Sequence, residues 1–202
     1  MTDIRDVFRT PIIINYQLSI MKNTLFLDRD GIINVQIVGG YVRKPEEFQL
    51  IPGVLTAMQW LRPKFRHIIV VTNQQCVAKR ICKMEDIEEI HRRMRVTFEE
   101  NLTPLDAVYC CPHKAGEGCG CRKPDIGMAL QAKADFPDID FADSVMVGDS
   151  LSDIQFAVNA GIQPVHVGAK HPGEYEEIAK LTSVHYNNLL EFAKNFLPSS
   201  CP

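Results

Sequence analysis

The sequence has 202 residues, of which 46% are hydrophobic, which is enough for one sizeable core and by length favours one domain. The formal net charge of −3 and the lack of a long Lys/Arg block argue against nucleic acid or an anionic membrane as a partner. No secretory signal is visible, and the apolar stretch 12–20 is interrupted and too short to cross a bilayer. We therefore expect a cytoplasmic protein whose seven cysteines serve metal binding rather than disulfides.

Short apolar strands alternate with longer amphipathic segments from residue 23 onward. We predict strands at residues 24–28, 68–72, 106–110, 144–147 and 164–167. Helices are predicted at residues 52–61, 84–100, 126–134, 153–160, 174–180 and 189–196. This alternation predicts an α/β fold, a Rossmann-like three-layer sandwich with a central, mostly parallel sheet covered on both faces.

The first residues fit this frame less well than the rest of the chain. Residues 1–22 are predicted to be an N-terminal extension, either an added strand or an arm, and Met21 is an alternative start. Residues 23–202 are predicted to form a single domain.

Two carboxylates, Asp28 and Asp30, directly follow the first apolar strand. Unpaired buried carboxylates are costly, and a divalent cation such as Mg²⁺ resolves the cost. Gly31 permits a sharp exit from the strand. A calcium loop shares the Asp-x-Asp-Gly pattern, but it needs further oxygen ligands, whereas Ile32 and Ile33 follow here.

Polar side chains also follow two other predicted strands and precede one helix. The carboxyl ends of parallel strands meet at one edge of a sheet, so these side chains are expected to converge with Asp28. Taken singly, each could be a helix cap, a turn residue or a surface lysine. Their order along the frame is the stronger signal, and it involves Thr72, Asn73 and Gln74, then Arg122 and Lys123, then Asp149 and Asp153.

This arrangement resembles the haloacid dehalogenase-like superfamily of phosphatases over residues 24–188. The resemblance implies that Asp28 attacks phosphorus and is transiently phosphorylated. It implies that Asp30 protonates the leaving oxygen and then deprotonates the hydrolytic water. Thr72 and Lys123 would hold the oxygens of the transferring phosphoryl group.

The same resemblance implies a magnesium site. Asp28, the backbone carbonyl of Asp30 and Asp149 would be the ligands, and Asp153 would support them from behind. Phosphoryl transfer asks a protein mainly for positioning and charge neutralisation, which a metal and Lys123 supply.

A second cluster offers three thiolates and one imidazole on a short glycine-rich loop: Cys111, His113, Cys119 and Cys121. That ligand set predicts a closed, tetrahedral structural Zn²⁺ site. The alternative is a group of free cysteines near a strand end. Cys110 is predicted to belong to the strand and to face the core.

The cysteine loop narrows the resemblance to the branch that contains heptose bisphosphate phosphatases and the histidinol-phosphate phosphatase domain. The motifs that carry it are Cys-Pro-His, Cys-x-Cys-Arg-Lys-Pro, Asp-Arg-Asp-Gly, Gly-Tyr-Val and Thr-Asn-Gln. It implies hydrolysis of the 7-phosphate of D-glycero-D-manno-heptose 1,7-bisphosphate, with histidinol phosphate or another small phosphosugar as alternatives. The expected substrate-binding residues are Gln36, Tyr41, Asn73, Gln74 and Arg122.

Two departures from the branch bear on the substrate. The branch has Thr or Val where this chain has Ile32, and it has a glycine and an Arg-Gly pair within residues 75–80, where this chain has neither. Residues 31–52 leave no room for a large cap domain, so we expect an open site on a monomer. A non-enzymatic phospho-receiver module is a distant alternative, since its acids and its lysine follow a different order.

Overall fold

A six-stranded parallel sheet forms the centre of the computed structural model, which describes residues 21–169 and 173–196. The strands are β1 Lys22–Leu27, β2 Phe65–Asn73, β3 Ala107–Cys111, β4 Val145–Gly148, β5 Gln163–Val167 and β6 His185–Tyr186. Every neighbouring pair is parallel, in the order β3-β2-β1-β4-β5-β6. The predicted parallel sheet is confirmed, and the sequence analysis missed only β6, which is too short to show a periodic pattern.

Six α-helices connect or follow the strands in the described part of the chain. They are α1 Val54–Leu61, α2 Met84–Glu100, α3 Gly127–Asp135, α4 Leu151–Ala160, α5 Glu174–Leu181 and α6 Leu189–Lys194. Helix α4 begins two residues earlier than predicted because Ser150 caps it. The Asp153 amide lies 3.4 Å from Ser150 Oγ, and the Ser150 amide donates to Asp153 Oδ2 at 3.1 Å.

The alternation of side chains along β1 separates two apolar layers. Leu25 and Leu27 face a cluster built with α1, α2 and α6, whereas Phe26 faces one built with α3 and α4. Each fully buried side chain of this kind contributes about 1.5–3 kcal/mol. The three-layer sandwich predicted from the sequence is therefore confirmed.

The order in which successive strands are added to the sheet reverses between the neighbouring strands β1 and β4. Strands β2 and β3 lie on one side of β1, and β4 to β6 lie on the other. In such sheets ligands bind beyond the carboxyl ends of the strands at this switch point. Asp28 and Asp149 follow these two strands. The Asp149 carboxylate packs directly against Gly31, which has φ +86°, and a Cβ there would lie 1.9 Å from Asp149 Oδ2.

The segment between Gly31 and α1 carries no cap domain. It contains one short 3₁₀ helix, Pro45–Glu47, and single β-bridges that join Asn34 to Asp30 and to Leu50. The expected absence of a large cap is confirmed. Residues 1–20 of the predicted extension lie outside the described residues. Within the described ranges, no helix has the length and apolar character needed to cross a membrane.

Candidate active site

A cavity of about 210 Å³ opens at the carboxyl edge of the sheet. It brings together all the residues predicted around the phosphoryl group except Gln74. Those lining it are Asp28, Asp30, Gln36, Tyr41, Thr72, Asn73, Arg122, Lys123, Asp149 and Asp153. The lining also includes Gln75, Ser150 and Ser152, which the sequence analysis did not single out.

Lys123 lies at the floor of this cavity and is almost fully buried. Its ammonium donates to Asp28 Oδ1 at 2.6 Å and to the Val71 carbonyl at 2.7 Å. Asp153 Oδ1 lies 2.6 Å from the same nitrogen. Burial alone would lower the pKa of Lys123, but the charges of Asp153 and Asp28 outweigh it and raise that pKa. The side chain is thus a permanent buried cation between two carboxylates.

Asp28, Asp149 and Asp153 form a cluster whose carboxylate oxygens lie within 4.8 Å of one another. Burial raises the pKa of Asp28 to about 7, although Lys123 opposes the shift. Burial and the neighbouring Asp28 raise the pKa of Asp149 to about 8. One lysine therefore does not neutralise three carboxylates, and the cluster calls for a further cation.

The donor set suits magnesium. Mg²⁺ prefers carboxylate and carbonyl oxygens, and the cluster offers three carboxylates, two after strands and one in the first turn of α4. Asp153 Oδ1 is buried, and the Lys123 ammonium lies 2.6 Å from it. Asp153 belongs to the same carboxylate cluster, and its supporting role behind the ligands stays a prediction.

Asp30 points away from this cluster and is held by three side chains. Arg29 Nη2 lies 2.9 Å from both carboxylate oxygens, Asn34 donates to Oδ1 at 2.8 Å, and Gln74 donates to Oδ2 at 2.7 Å. Burial would raise the pKa of Asp30, but the Arg29 charge and these hydrogen bonds lower it below its ordinary value. Sequence reasoning did not assign Arg29 or Asn34 to the site.

Gln74 lies behind the cavity rather than in its lining, and only 1% of it is exposed. Its amide also donates to Thr72 Oγ1 at 2.9 Å. Asn73 forms a reciprocal pair with the backbone of Lys123, at 3.0 Å to the amide and 3.1 Å to the carbonyl. The two amides at the end of β2 therefore orient Asp30, Thr72 and Lys123, and a contact between substrate and Asn73, which lines the cavity, stays a prediction.

The cysteine loop places its four predicted ligands together. Cys111 Sγ lies 3.2 Å from Cys121 Sγ and 3.7 Å from Cys119 Sγ, and His113 Nδ1 lies 3.6 Å from Cys111 Sγ. A tetrahedral zinc with bonds of about 2.3 Å to sulfur would separate two sulfurs by about 3.8 Å, close to these values. The cluster has the ligand number and type of a structural zinc site.

The electrostatics of the loop also indicate a cation. Burial would raise the pKa of Cys119, but backbone amides of Arg122 and Cys121 donate to its sulfur and lower that pKa to about 7. Burial raises the pKa of Cys121 to about 12 and that of Cys111 as well. All three sulfurs can be thiolates together only when a metal compensates their charge.

Comparison with known proteins identifies the family. A family model described as HAD-hydrolase-like matches residues 120–191. The D-glycero-alpha-D-manno-heptose-1,7-bisphosphate 7-phosphatase of Mycobacterium tuberculosis is 42% identical over 135 residues, which are 67% of this chain and 71% of that protein. The chain belongs to the HAD-like phosphatases.

Further relatives are also named heptose 1,7-bisphosphate phosphatases. The D-glycero-beta-D-manno-heptose-1,7-bisphosphate 7-phosphatase of Vibrio cholerae is 40% identical over 148 residues, 70% of this chain and 78% of that protein. The crystal structure of the D,D-heptose 1,7-bisphosphate phosphatase from B. bronchiseptica, complexed with magnesium and phosphate, has a TM-score of 0.74 and 29% identity. It matches 86% of this chain and 97% of its own. The distant alternative, a non-enzymatic receiver module, is therefore disfavoured.

The loop at residues 75–80, whose sequence departs from that of the heptose bisphosphate phosphatase branch, forms a compact turn. The Ile81 amide donates to the Cys76 carbonyl at 2.9 Å, and Cys76 is fully buried beside Val42 and Ile87. Arg80 has φ +57°, a left-handed conformation that favours glycine. Arg80 therefore occupies a backbone conformation that suits the glycine of the Arg-Gly pair.

Proposed function

We propose that this HAD-like phosphatase removes the 7-phosphate of D-glycero-D-manno-heptose 1,7-bisphosphate through a phospho-aspartate on Asp28, with Mg²⁺ as cofactor. The observation that supports the chemistry best is the position of Asp28. It lies in the cavity, hydrogen-bonded to buried Lys123 and beside two further carboxylates. The names of the relatives at 40–42% identity support the substrate.

Asp28, Asp149 and the Asp30 carbonyl would hold the magnesium ion, with Asp153 beside them. When bound, Mg²⁺ offsets the charge of the carboxylates and of the phosphate. Lys123 adds a fixed positive charge for the phosphoryl oxygens, and Thr72 adds a hydroxyl.

The two chemical steps use Asp28 and Asp30. An oxygen of Asp28 forms a bond to phosphorus as the bond to the sugar oxygen breaks, and Asp30 gives that oxygen its proton. A water then attacks the phosphorus of the acyl phosphate, Asp30 takes the proton, and Asp28 leaves as a carboxylate with release of inorganic phosphate. The low pKa of Asp30 keeps its carboxylate ionised in the free enzyme. The incoming phosphate dianion would raise that pKa for its role as acid in the first step.

The charges around the mouth favour a bisphosphate over histidinol phosphate. Arg122 lines the cavity beside Lys123, and its guanidinium donates to the His113 carbonyl at 3.2 Å. Two acids that could attract an ammonium group are already paired. Glu47 accepts from Arg43 at 2.8 Å, and Glu46 accepts from Arg93 at 3.3 Å.

Phosphate release on purified, magnesium-loaded protein tests the proposal. The α and β anomers of the heptose bisphosphate and histidinol phosphate are compared by kcat/KM, and phosphorus NMR identifies which phosphate is lost. We expect the bisphosphate to be preferred at least about 10-fold, as the loss of one charged contact predicts, with the 1-phosphate retained. A clear preference for histidinol phosphate would overturn the substrate and leave the phosphatase chemistry intact.

The nucleophile is tested separately. Asp28→Asn removes the attacking carboxylate without changing its size, so turnover should fall by about 10³-fold or more while the fold persists. Circular dichroism serves as the control for folding. Substantial magnesium-dependent turnover by Asp28→Asn would contradict the covalent mechanism.

A further inference from the structure

Arg29 lies between Asp28 and Asp30 in the sequence, and its side chain is fully buried. Its Nη2 binds both oxygens of Asp30 at 2.9 Å. Its Nη1 lies 3.2 Å from Nε2 of His91, which is 62 residues away in sequence. Within the described residues, Arg29 Nε has no hydrogen-bond partner. The direction of the guanidinium therefore depends on Asp30 at one end and on His91 at the other.

His91 is supplied by α2, the longest described helix, and is only 8% exposed. Met94 and Phe98 anchor that helix in the main core. Burial, followed by the charge of Arg29, lowers the pKa of His91 to about 3. The imidazole is thus neutral at physiological pH, and with its proton on Nδ1 it offers Arg29 an acceptor on a fixed platform.

His91 does not line the cavity and touches no reacting atom. We propose that His91 is a positioning residue for the proton transfer, because it fixes the guanidinium of Arg29 that orients the Asp30 carboxylate. The inference rests on the proposed role of Asp30 as proton donor to the leaving oxygen. Asn34 and Gln74 also bind Asp30, so loss of His91 would misdirect the carboxylate without releasing it.

Proton transfer is sensitive to such a misdirection. General acid catalysis contributes about 10²–10⁴-fold, and a displacement near 1 Å costs about 10²-fold. We therefore expect a loss of about 10–100-fold when Arg29 loses its acceptor, provided that the leaving group needs a proton. An ester whose leaving group is stable as an anion should be nearly unaffected.

The test compares kcat/KM for two esters, because this ratio reports the steps up to the departure of the alcohol. One ester is the alkyl phosphate that the wild type cleaves best, and the other is p-nitrophenyl phosphate. The variants are His91→Leu, His91→Gln and His91→Asn. Gln carries its oxygen near the place of Nε2, whereas Asn is too short to reach Arg29. Met94→Ala is the matched control, since it disturbs the same helix without touching Arg29.

His91→Leu and His91→Asn should lose about 10–100-fold on the alkyl ester and less than about 3-fold on the aryl ester, whereas His91→Gln should stay close to the wild type on both. Met94→Ala should affect the two esters equally. Equal losses on both esters in His91→Asn, or a His91→Gln as impaired as His91→Asn, would overturn the inference. If the wild type preferred another alkyl phosphate to the heptose bisphosphate, the proposed substrate would fail while this comparison kept its meaning.

Discussion

The buried ion cluster predicts that Lys123→Met will destabilise the metal-free protein in a pH-dependent way. Methionine approximates the volume of the lysine stem but removes its charge. The ammonium of Lys123 has carboxylate oxygens of Asp28 and Asp153 at 2.6 Å each, and only 2% of its side chain is exposed. Its removal leaves two buried carboxylates without their cation. The cost of breaking such a buried pair is about 3–5 kcal/mol.

For a chain of this length, about 2–4 °C of melting temperature corresponds to 1 kcal/mol, so the expected loss is about 6–20 °C. Saturating Mg²⁺ should restore part of the lost stability, since a ligand at 100 times its Kd adds about 2.7 kcal/mol to the free energy of unfolding. An exposed lysine gives the contrast. Lys180 pairs with Glu177 while 66% of its side chain stays exposed, so Lys180→Met should change little.

The sign of the pH dependence follows from Asp28. Its pKa is raised from 3.8 to about 7 in the folded protein, so the native state binds more protons than the unfolded chain between these values. Stability of the metal-free protein therefore falls as pH rises through this window. Lys123 opposes the shift, so its loss raises the pKa of Asp28 further. The deficit of Lys123→Met should be smaller at pH 5, where Asp28 is protonated, than at pH 8.

Urea or thermal unfolding at pH 5 and pH 8 measures this difference. Wild type, Lys123→Met and Lys180→Met are compared without magnesium, after their zinc content has been matched. The reasoning would be refuted if Lys123→Met lost the same stability at both pH values, or stayed within about 1 kcal/mol of wild type at pH 8.

Three further predictions concern the zinc loop, the Arg80 turn and the N-terminus. Wild type purified without chelator should contain about one zinc per chain, and Cys119→Ser should lose zinc and activity because Lys123 follows the loop directly. Arg80→Gly should stabilise the fold by about 0.5–1 kcal/mol in urea unfolding, since it relieves the left-handed backbone at φ +57°. A chain that starts at Met21 should fold and hydrolyse phosphate esters, because every assigned residue lies downstream.

Each of these has its own control and contrary outcome. Cys82 lies outside the ligand cluster, so the control variant Cys82→Ser should keep its zinc. Full activity and full zinc content in Cys119→Ser would contradict the zinc site. Lys79→Gly is the control for Arg80→Gly. Lys79 has no positive φ, so its replacement by glycine should lower the stability of the fold. An Arg80→Gly variant less stable than wild type would contradict the strain argument. An inactive or insoluble chain from Met21 would show that the preceding residues pack on the core or complete an assembly.

The sequence was sufficient for the features that are local along the chain. The strands and helices followed from the period of apolar residues, because burial on two faces leaves a pattern in the sequence. The predicted zinc ligands lie within one short stretch from Cys111 to Cys121, so their number and type predicted a metal site without knowledge of the fold. The pair Asp28 and Asp30 at a strand end likewise predicted the phosphoryl chemistry through its resemblance to a family.

Only the tertiary structure decided which polar side chains that are distant in sequence contact one another. Gln74 reads as a substrate ligand in sequence, yet it is turned inward onto Asp30. In sequence Asp153 is expected only to support the magnesium ligands, yet it also reaches the ammonium of Lys123. The contact between Arg29 and His91 leaves no local pattern at all, since only the packing of α2 against the sheet brings them together. Periodicity reports which face of an element is buried, whereas the partner that a buried polar group meets is set by the packing of whole elements.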